Sequence, residues 1–232
     1  MMYVRRAEER GHAQLGWLDS HHSFSFGHYY DPRHMGFSVL RVINDDVVKA
    51  GAGFDTHGHR DMEIISYVLS GAIEHKDSMG NTHVVSAGEI QHMSAGTGIT
   101  HSEYNHSQND TLRFLQIWIR PQRKGLTPSY QQQAVVQNGA LTPLVTPDGR
   151  AGSLRMNQNA SLYRLQLAAN ERLILNNADR PSYLHLIEGQ LSLDNGLHLA
   201  ANDAVGVQED ELVVTAGSQG LSALWFDLPS AA

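Results

Sequence analysis

The sequence predicts an all-β protein built from two tandem antiparallel β-barrels. Stretches that alternate apolar and polar residues recur roughly every 8–12 residues, and glycine, asparagine, aspartate or proline separates them. No apolar pattern with helical spacing continues for more than about two turns. A faint internal repeat, offset by about half the chain, adds the expectation of two similar halves.

Each half contains its own series of predicted strands. In the first half they are FSVLRVINDDVVKAG, MEIISYVLSGAIEHKDS, THVVSAGEIQHMSAG and TLRFLQIWIRP. In the second half they are ASLYRLQLAA, ERLILNN, SYLHLIEGQLSLDN, LHLAANDAVGVQ, ELVVTAG and LSALWFDLP. Turn residues, such as those from Asp77 to Asn81 and from Asp194 to Gly196, predict reversals of the chain between alternating runs.

The internal repeat sets the predicted domain boundaries. SYVLSGAI, which begins at Ser66, is similar to LHLIEGQL, which begins at Leu184, and each has glycine at its sixth place. Both halves end in an aromatic and apolar strand. We therefore predict an N-terminal barrel over residues 1–135 and a C-terminal barrel over residues 136–232, with Gln131 to Arg155 as the connector. The alternative is one large sandwich in which short β motifs match by chance.

Composition excludes several classes of protein. The chain has 232 residues, no cysteine and a formal net charge of -7. The lack of cysteine excludes disulfides, thiol nucleophiles and thiolate metal sites. The acidic balance argues against direct binding of nucleic acid, which uses a basic surface. We find neither a signal-peptide core nor a membrane span, and we expect a cytoplasmic protein.

Histidine is the unusual component. Twelve of the 14 histidines lie in the first 106 residues, which indicates metal binding through nitrogen and oxygen, or pH sensing, in that half. Residues i and i+2 of a strand share a face. His57 and His59 can therefore present two imidazoles together, and His101 and Glu103 can add an imidazole and a carboxylate.

Three neutral nitrogens and one carboxylate suit a divalent transition metal with open coordination positions. Glu63 is a second candidate for the carboxylate. The alternative is a set of core histidines with ordinary hydrogen bonds. That alternative would place four ionisable groups in an apolar interior without a charge partner, which is costly.

At these residues the chain resembles the cupin superfamily. The residues that fit the first cupin motif are Gly51, His57, His59, Glu63 and, one place late, Gly71. Those that fit the second are Gly88, Gly96, His101 and Asn105, with Ser94 in the place of a proline. These departures are similar to one branch, the pirins. GWLDSHHSFSFGHYYDPRHMGFSVLRVINDD, THGHRDMEIISYVLSG and SAGTGITHSEYN resemble bacterial pirin sequences almost throughout.

The pirin resemblance implies a bicupin fold of jelly-roll type with one metal, in the N-terminal barrel. The ligands it implies are His57, His59, His101 and Glu103, with Glu63 close to the site but not bound to the metal. Reach along an extended strand also favours Glu103, because His101 to Glu103 spans about 6.6 Å and His59 to Glu63 about 13 Å.

The C-terminal barrel is expected to be metal-free. The offset of the repeat places Leu175, Asn177 and Pro181 where the first half has His57, His59 and Glu63. His22 and Phe24 are candidates for the wall of a substrate pocket, and strand packing between the barrels is the alternative for both. His21 departs from the pirin pattern, in which an aromatic residue is common.

The resemblance implies a quercetin 2,3-dioxygenase, which opens the flavonol heterocycle with O2 and releases CO. We expect one divalent transition metal per chain, with Fe(II) favoured over Ni, Co, Mn, Cu or Zn, and Glu103 as both ligand and catalytic base. The alternative is a non-enzymatic, metal-containing regulator that binds a transcription factor or a metabolic enzyme. A cupin isomerase or lyase has compatible ligands, since fold does not determine function.

Overall fold

The computed structural model describes residues 2–176, 178–208 and 211–230, in which nearly all of the regular secondary structure is β-strand. The strands are β1 Met2–Arg5, β2 Gly11–Gln14, β3 Leu18–His22, β4 Leu40–Val48, β5 Gly53–His59, β6 Glu63–Ser70, β7 Ala72–Asp77, β8 Thr82–Ser86, β9 Glu89–Ser94, β10 Ile99–Asn105, β11 Leu112–Ile119, β12 Ser129–Ala134, β13 Leu141–Thr146, β14 Leu154–Arg155, β15 Ser161–Leu167, β16 Arg172–Leu175, β17 Ser182–Leu193, β18 His198–Ala200, β19 Ala204–Val207 and β20 Leu212–Asp227.

Helical structure in the described ranges is limited to single 3-10 turns at Ala7–Glu9 and Arg150–Gly152. Neither is long and apolar enough to cross a membrane.

The described residues fall into two compact units. The first unit lies within Gly11–Val135 and Leu154–Gln158, and the second within Met1–Arg10, Val136–Ser153 and Asn159–Ala232. The all-β prediction is therefore confirmed. The division differs from the predicted domains at two segments, since residues before Gly11 belong to the second unit and Leu154–Gln158 to the first.

The first unit consists of two antiparallel sheets that share a core. One has the strand order β12-β9-β6-β11-β4-β3-β2 and the other β5-β10-β7-β8. Both orders have free ends, so the predicted barrel is observed as two open sheets. One buried apolar cluster draws on both, with Val68 and Phe114 from the larger sheet and Ile73 and Val85 from the smaller. Its burial removes apolar surface from water and holds the sheets together.

The second unit has an antiparallel sheet in the order β1-β19-β17-β20-β15-β13, with β16 on β20 and β18 on β17. The first strand of the chain pairs with β19, and Val4 lies opposite Val205. This pairing joins residues about 200 positions apart, which local sequence pattern does not reveal. It explains why the N-terminus does not belong to the first unit.

The glycines of the repeat have the same structural role in both halves. Gly71 separates β6 from β7 with φ +78°, and Gly189 interrupts the alternation of β17 with φ +86°. A Cβ at Gly71 would lie 3.0 Å from the Thr111 carbonyl oxygen, and one at Gly189 would lie 2.2 Å from that of Gly220. Both positions therefore require glycine for backbone conformation and for close approach of a neighbouring strand.

The predicted connector is partly regular structure, which corrects that expectation. Gln131 to Ala134 continue β12, and Gln131 pairs with His92 on β9. Three successive glutamines in β12 lie in partly buried positions, so the strand lacks the apolar alternation by which it could be recognised.

Candidate metal centre

Strands β5 and β10 bring three imidazoles together. They pair antiparallel, with His57 opposite His101 and His59 opposite Ile99. His59 lies two residues from His57 and thus on the same face. The ligand nitrogens of His57, His59 and His101 all lie within 4.8 Å of one another. The structure thus brings these three predicted ligands into one group.

An irregular strand pairing in β5 determines which side chains of that strand lie beside the three imidazoles. Glu103 pairs with Phe54, although regular pairing from His57 and His101 would place it opposite Asp55. The extra residue in β5 is a β-bulge, which shifts the alternation of the strand. As a result Phe54 is partly buried and its ring lies 6.5 Å from that of His57, whereas Asp55 and Thr56 are both exposed.

The spacing of the three imidazoles fits a shared metal ion. The Nε2 atom of His101 is 3.0 Å from Nε2 of His59 and 3.2 Å from Nε2 of His57. With metal–nitrogen bonds of about 2.1 Å, such separations correspond to angles of about 90–100° at one ion. Nδ1–H of His57 donates to the Asp55 carbonyl oxygen at 2.7 Å, which leaves the Nε2 lone pair free to bind a metal.

Glu103 is held by a buried ring of donors. Ser66 Oγ and Gln91 Nε2 donate to Oε1 at 3.0 and 2.6 Å, and Gln116 Nε2 donates to Oε2 at 2.8 Å. Burial raises the pKa of this carboxyl, but the charges of His101 and His75 and the hydrogen bonds of Ser66 and Gln116 outweigh that effect and lower it. Glu103 is therefore an ionised acceptor.

Of the three imidazoles at β5 and β10, Glu103 is grouped with that of His101. Its carboxylate forms a second group of potential ligands with His75 and His101, in which all ligand atoms lie within 4.8 Å. His101 belongs to both groups. That Glu103 is the fourth ligand stays a prediction.

Glu63 belongs to a different buried network. Its carboxylate accepts hydrogen bonds from His92 Nε2 at 2.8 Å, from Ser94 Oγ at 2.7 Å and from the Asn157 backbone N–H at 3.0 Å. Burial raises its pKa, but the hydrogen bond and charge of His92 outweigh this and lower it. The structure brings Glu63 into neither group of potential ligands.

Sequence reasoning missed His75. This residue is fully buried, donates from Nε2 to Asp77 Oδ2 at 3.2 Å, and stacks on the Tyr130 ring at 4.5 Å between ring centres. It lies opposite Glu103 on the neighbouring strand. The pair His75 and Asp77 has the same i, i+2 spacing as the predicted ligands, and this signal could have revealed it.

A cavity of about 360 Å³ lies in the same unit. Its wall includes His22, Phe26 and Phe54, with Ser20 and Asp46 as polar members. Burial raises the pKa of Asp46 to about 7, against the lowering effect of its hydrogen bond from Ser20.

Of the two predicted pocket residues, His22 lines this cavity, whereas Phe24 is 1% exposed and is not part of its wall. In the second unit, Leu175 is buried and His198 is exposed. Asn177 lies outside the described residues, and a metal-free second unit stays a prediction.

Comparison with known families gives two matches that together span most of the chain. A family model described as Pirin matches residues 3–119. A second, described as Quercetinase C-terminal cupin domain, matches residues 143–228.

Individual relatives match over their full lengths. The chain is 48% identical to a quercetin 2,3-dioxygenase of Escherichia coli strain K12 over 232 residues, which cover 99% of each chain. The crystal structure of YhhW from Escherichia coli covers 100% of both chains with a TM-score of 0.95 and 46% identity. A structure of the bacterial pirin YhhW in complex with nickel(II) has a TM-score of 0.94 and 46% identity, and covers 99% of each chain. The predicted resemblance is confirmed.

The two buried carboxylates should respond differently to removal of their charge. We expect Glu103→Gln to weaken metal binding by at least about 10–100-fold. Substitution of residues that only hydrogen-bond to a metal ligand already lowers metal affinity by that range. Glu63→Gln should retain metal but lower the free energy of unfolding, because the charged partner of His92 is lost. Metal analysis after dialysis, together with denaturation, measures both effects. Retention of metal by Glu103→Gln and its loss from Glu63→Gln would assign the fourth ligand to Glu63.

The metal-free protein should lose stability in acid. Burial lowers the pKa of His59 from 6.5 to about 4, and burial also lowers the pKa of His101. The unfolded chain therefore binds more protons than the folded chain between these values. The contribution to stability should be complete above pH 6.5 and decline as the pH falls toward 4.

Denaturant unfolding of metal-free protein between about pH 7 and pH 5 measures this slope. His59→Gln should flatten it, whereas His198→Gln, at an exposed position of the second unit, should not. Identical slopes for His59→Gln and the unchanged chain would contradict the assignment.

Proposed function

The chain belongs to the pirin family, and on this premise we propose that it is a metal-dependent quercetin 2,3-dioxygenase, which opens the heterocycle of a flavonol with O2 and releases CO. The observation that carries the proposal is the convergence of three imidazole nitrogens at strands β5 and β10, next to the buried carboxylate of Glu103. The name of the Escherichia coli relative supports the same activity.

The residues proposed to hold the metal are His57, His59, His101 and Glu103. When bound, a divalent transition metal would supply the Lewis acidity that lowers the pKa of the flavonol 3-hydroxyl and the redox capacity for reaction with O2. We propose Fe(II), and Ni, Co, Mn and Cu are compatible with the same donors. Zn would use the same ligands but would supply no redox capacity. Metal analysis of protein purified without added metal tests this choice.

Glu103 is proposed to accept the proton of the substrate hydroxyl. Its pKa is lowered, so that it is ionised at neutral pH. A carboxylate has about four lone-pair positions, and Ser66, Gln91 and Gln116 occupy three. The fourth position can bind the metal or receive the proton, one at a time, so proton transfer to Glu103 would require its metal bond to open. The same three donors keep the carboxylate from turning away.

The cavity beside Phe54 is proposed to receive the flat substrate. Its volume of about 360 Å³ lies in the range of small-molecule sites. The aromatic rings of Phe26 and Phe54 supply apolar surface for a planar ring system, and Ser20 and Asp46 offer hydrogen bonds to phenolic oxygens. The raised pKa of Asp46, about 7, reflects its burial, and leaves it able to donate as well as accept.

Turnover of a flavonol tests the proposal directly. Metal-loaded protein in the presence of O2 should bleach the flavonol absorbance and release CO, and His101→Ala should abolish both because it removes a nitrogen shared by the two ligand groups. His198→Ala, an exposed histidine of the second unit, is the matched control and should retain full activity. Fully loaded protein without turnover would exclude the dioxygenase and favour the metal-containing regulator.

Filling the cavity from its exposed side should weaken substrate binding. Leu15 lines the cavity and is 58% exposed, so Leu15→Trp adds volume without disturbing the core. We expect KM to rise roughly tenfold, equivalent to about 1.4 kcal/mol of lost binding, with kcat retained. Val136→Trp, at a position 77% exposed in the second unit, is the control. An unchanged KM for Leu15→Trp would place the substrate elsewhere.

A further inference from the structure

The hairpin of β2 and β3 carries a second cluster of imidazoles and carboxylate. The two strands pair antiparallel with His12 directly opposite His21. Asp19 lies two residues before His21 on β3 and thus on the same face of the strand. The side chains of all three are between 41 and 49% exposed. They therefore form a cluster that a solvated ion can reach.

The potential ligand atoms of this cluster converge. Asp19 Oδ1 lies 2.8 Å from His12 Nε2 and 3.6 Å from His21 Nδ1, and all three ligand atoms lie within 4.8 Å of one another. The two imidazole rings are stacked, with centres 4.5 Å apart and planes inclined by 15°. Cross-strand pairing thus holds two imidazoles close to a single carboxylate.

The charge balance of the cluster favours a cation. Within the described ranges, the side chains that could pair with the charge of Asp19 are His12 and His21, which are cationic only when protonated, and no lysine or arginine is among them. A metal ion would supply the positive charge and use the lone pairs of both imidazoles. Bonds of about 2.0–2.2 Å to nitrogen and oxygen require ligand atoms roughly 3 Å apart. Because the lone pairs of two imidazoles in nearly parallel planes do not meet at one ion, metal binding requires one exposed ring to rotate out of the stack, and this rotation also closes the observed separation of 3.6 Å.

We propose that His12, Asp19 and His21 form a second metal site, which binds a divalent transition ion such as Zn²⁺, Ni²⁺ or Cu²⁺. Two imidazoles and one carboxylate suit these borderline ions and leave the remaining positions to water. The site shares no ligand with the three-imidazole group, which lies on β5 and β10. Its test therefore does not depend on the three-imidazole group, although His12 also lines the cavity proposed to receive the flavonol.

Titration of the metal-free full chain with Zn²⁺ tests the site, with calorimetry as the readout. The unchanged chain should show two binding steps. His21→Phe preserves a ring that can stack on His12 but removes a nitrogen, and Asp19→Asn removes the charge. Either substitution should weaken one step at least about tenfold, since removing a ligand costs no less than disturbing the groups around it.

Two variants, one at each site, distinguish the two Zn²⁺-binding steps. His101→Ala should lose the step that His21→Phe retains, so failure at one site is distinguishable from failure at the other. His106→Asn is the matched control, because His106 is an exposed imidazole 3.4 Å from Glu74 and belongs to no group of potential ligands. The proposal is overturned if His21→Phe and Asp19→Asn both retain the two steps, or if the unchanged chain binds Zn²⁺ only in the step that His101→Ala removes.

Discussion

The pairing of β5 with β10 is the constraint on which the candidate metal centre depends. It places His57 opposite His101, and the pleat of the strand adds His59 on the same face. The bulge in β5 then brings Phe54, rather than Asp55, to the interior beside Glu103. One strand register therefore determines both the convergence of the nitrogens and the apolar surface next to them. A slip by one residue would direct the imidazoles to the opposite face.

Two buried carboxylates in the first unit show how hydrogen bonding separates their roles. Glu103 accepts from two glutamine amides and one hydroxyl near His101. Glu63 is tied to His92 and to the Asn157 backbone. An ionised carboxylate in the interior is stable only where such donors replace water. The hydrogen-bond donors around each carboxylate therefore determine its role. They hold Glu103 next to His101 and keep Glu63 in the network of His92 and Asn157.

The fold could be predicted from local pattern where the pattern was strong. Alternating apolar residues, together with turn residues, predicted the strands of both halves, and the glycines at 71 and 189 indicated a repeated turn whose close contacts the structure explains. Pattern failed where pairing is distant or the strand is polar. The partner of β1 lies in β19, about 200 residues away, which local pattern does not reveal. β12 consists largely of glutamine and other polar residues, so it lacks a local apolar signature.

The sequence by itself determined the class of the fold, the family and the two His-x-His and His-x-Glu pairs, because strand periodicity makes residues i and i+2 neighbours on one face. Only the tertiary structure decided that Glu63 bonds to His92, that His75 and, through a bulge, Phe54 lie opposite Glu103, and that His12 meets His21 across a hairpin. Those relationships depend on the register between strands and on a bulge. Register and bulges arise from packing of the whole sheet, so short-range spacing does not contain them.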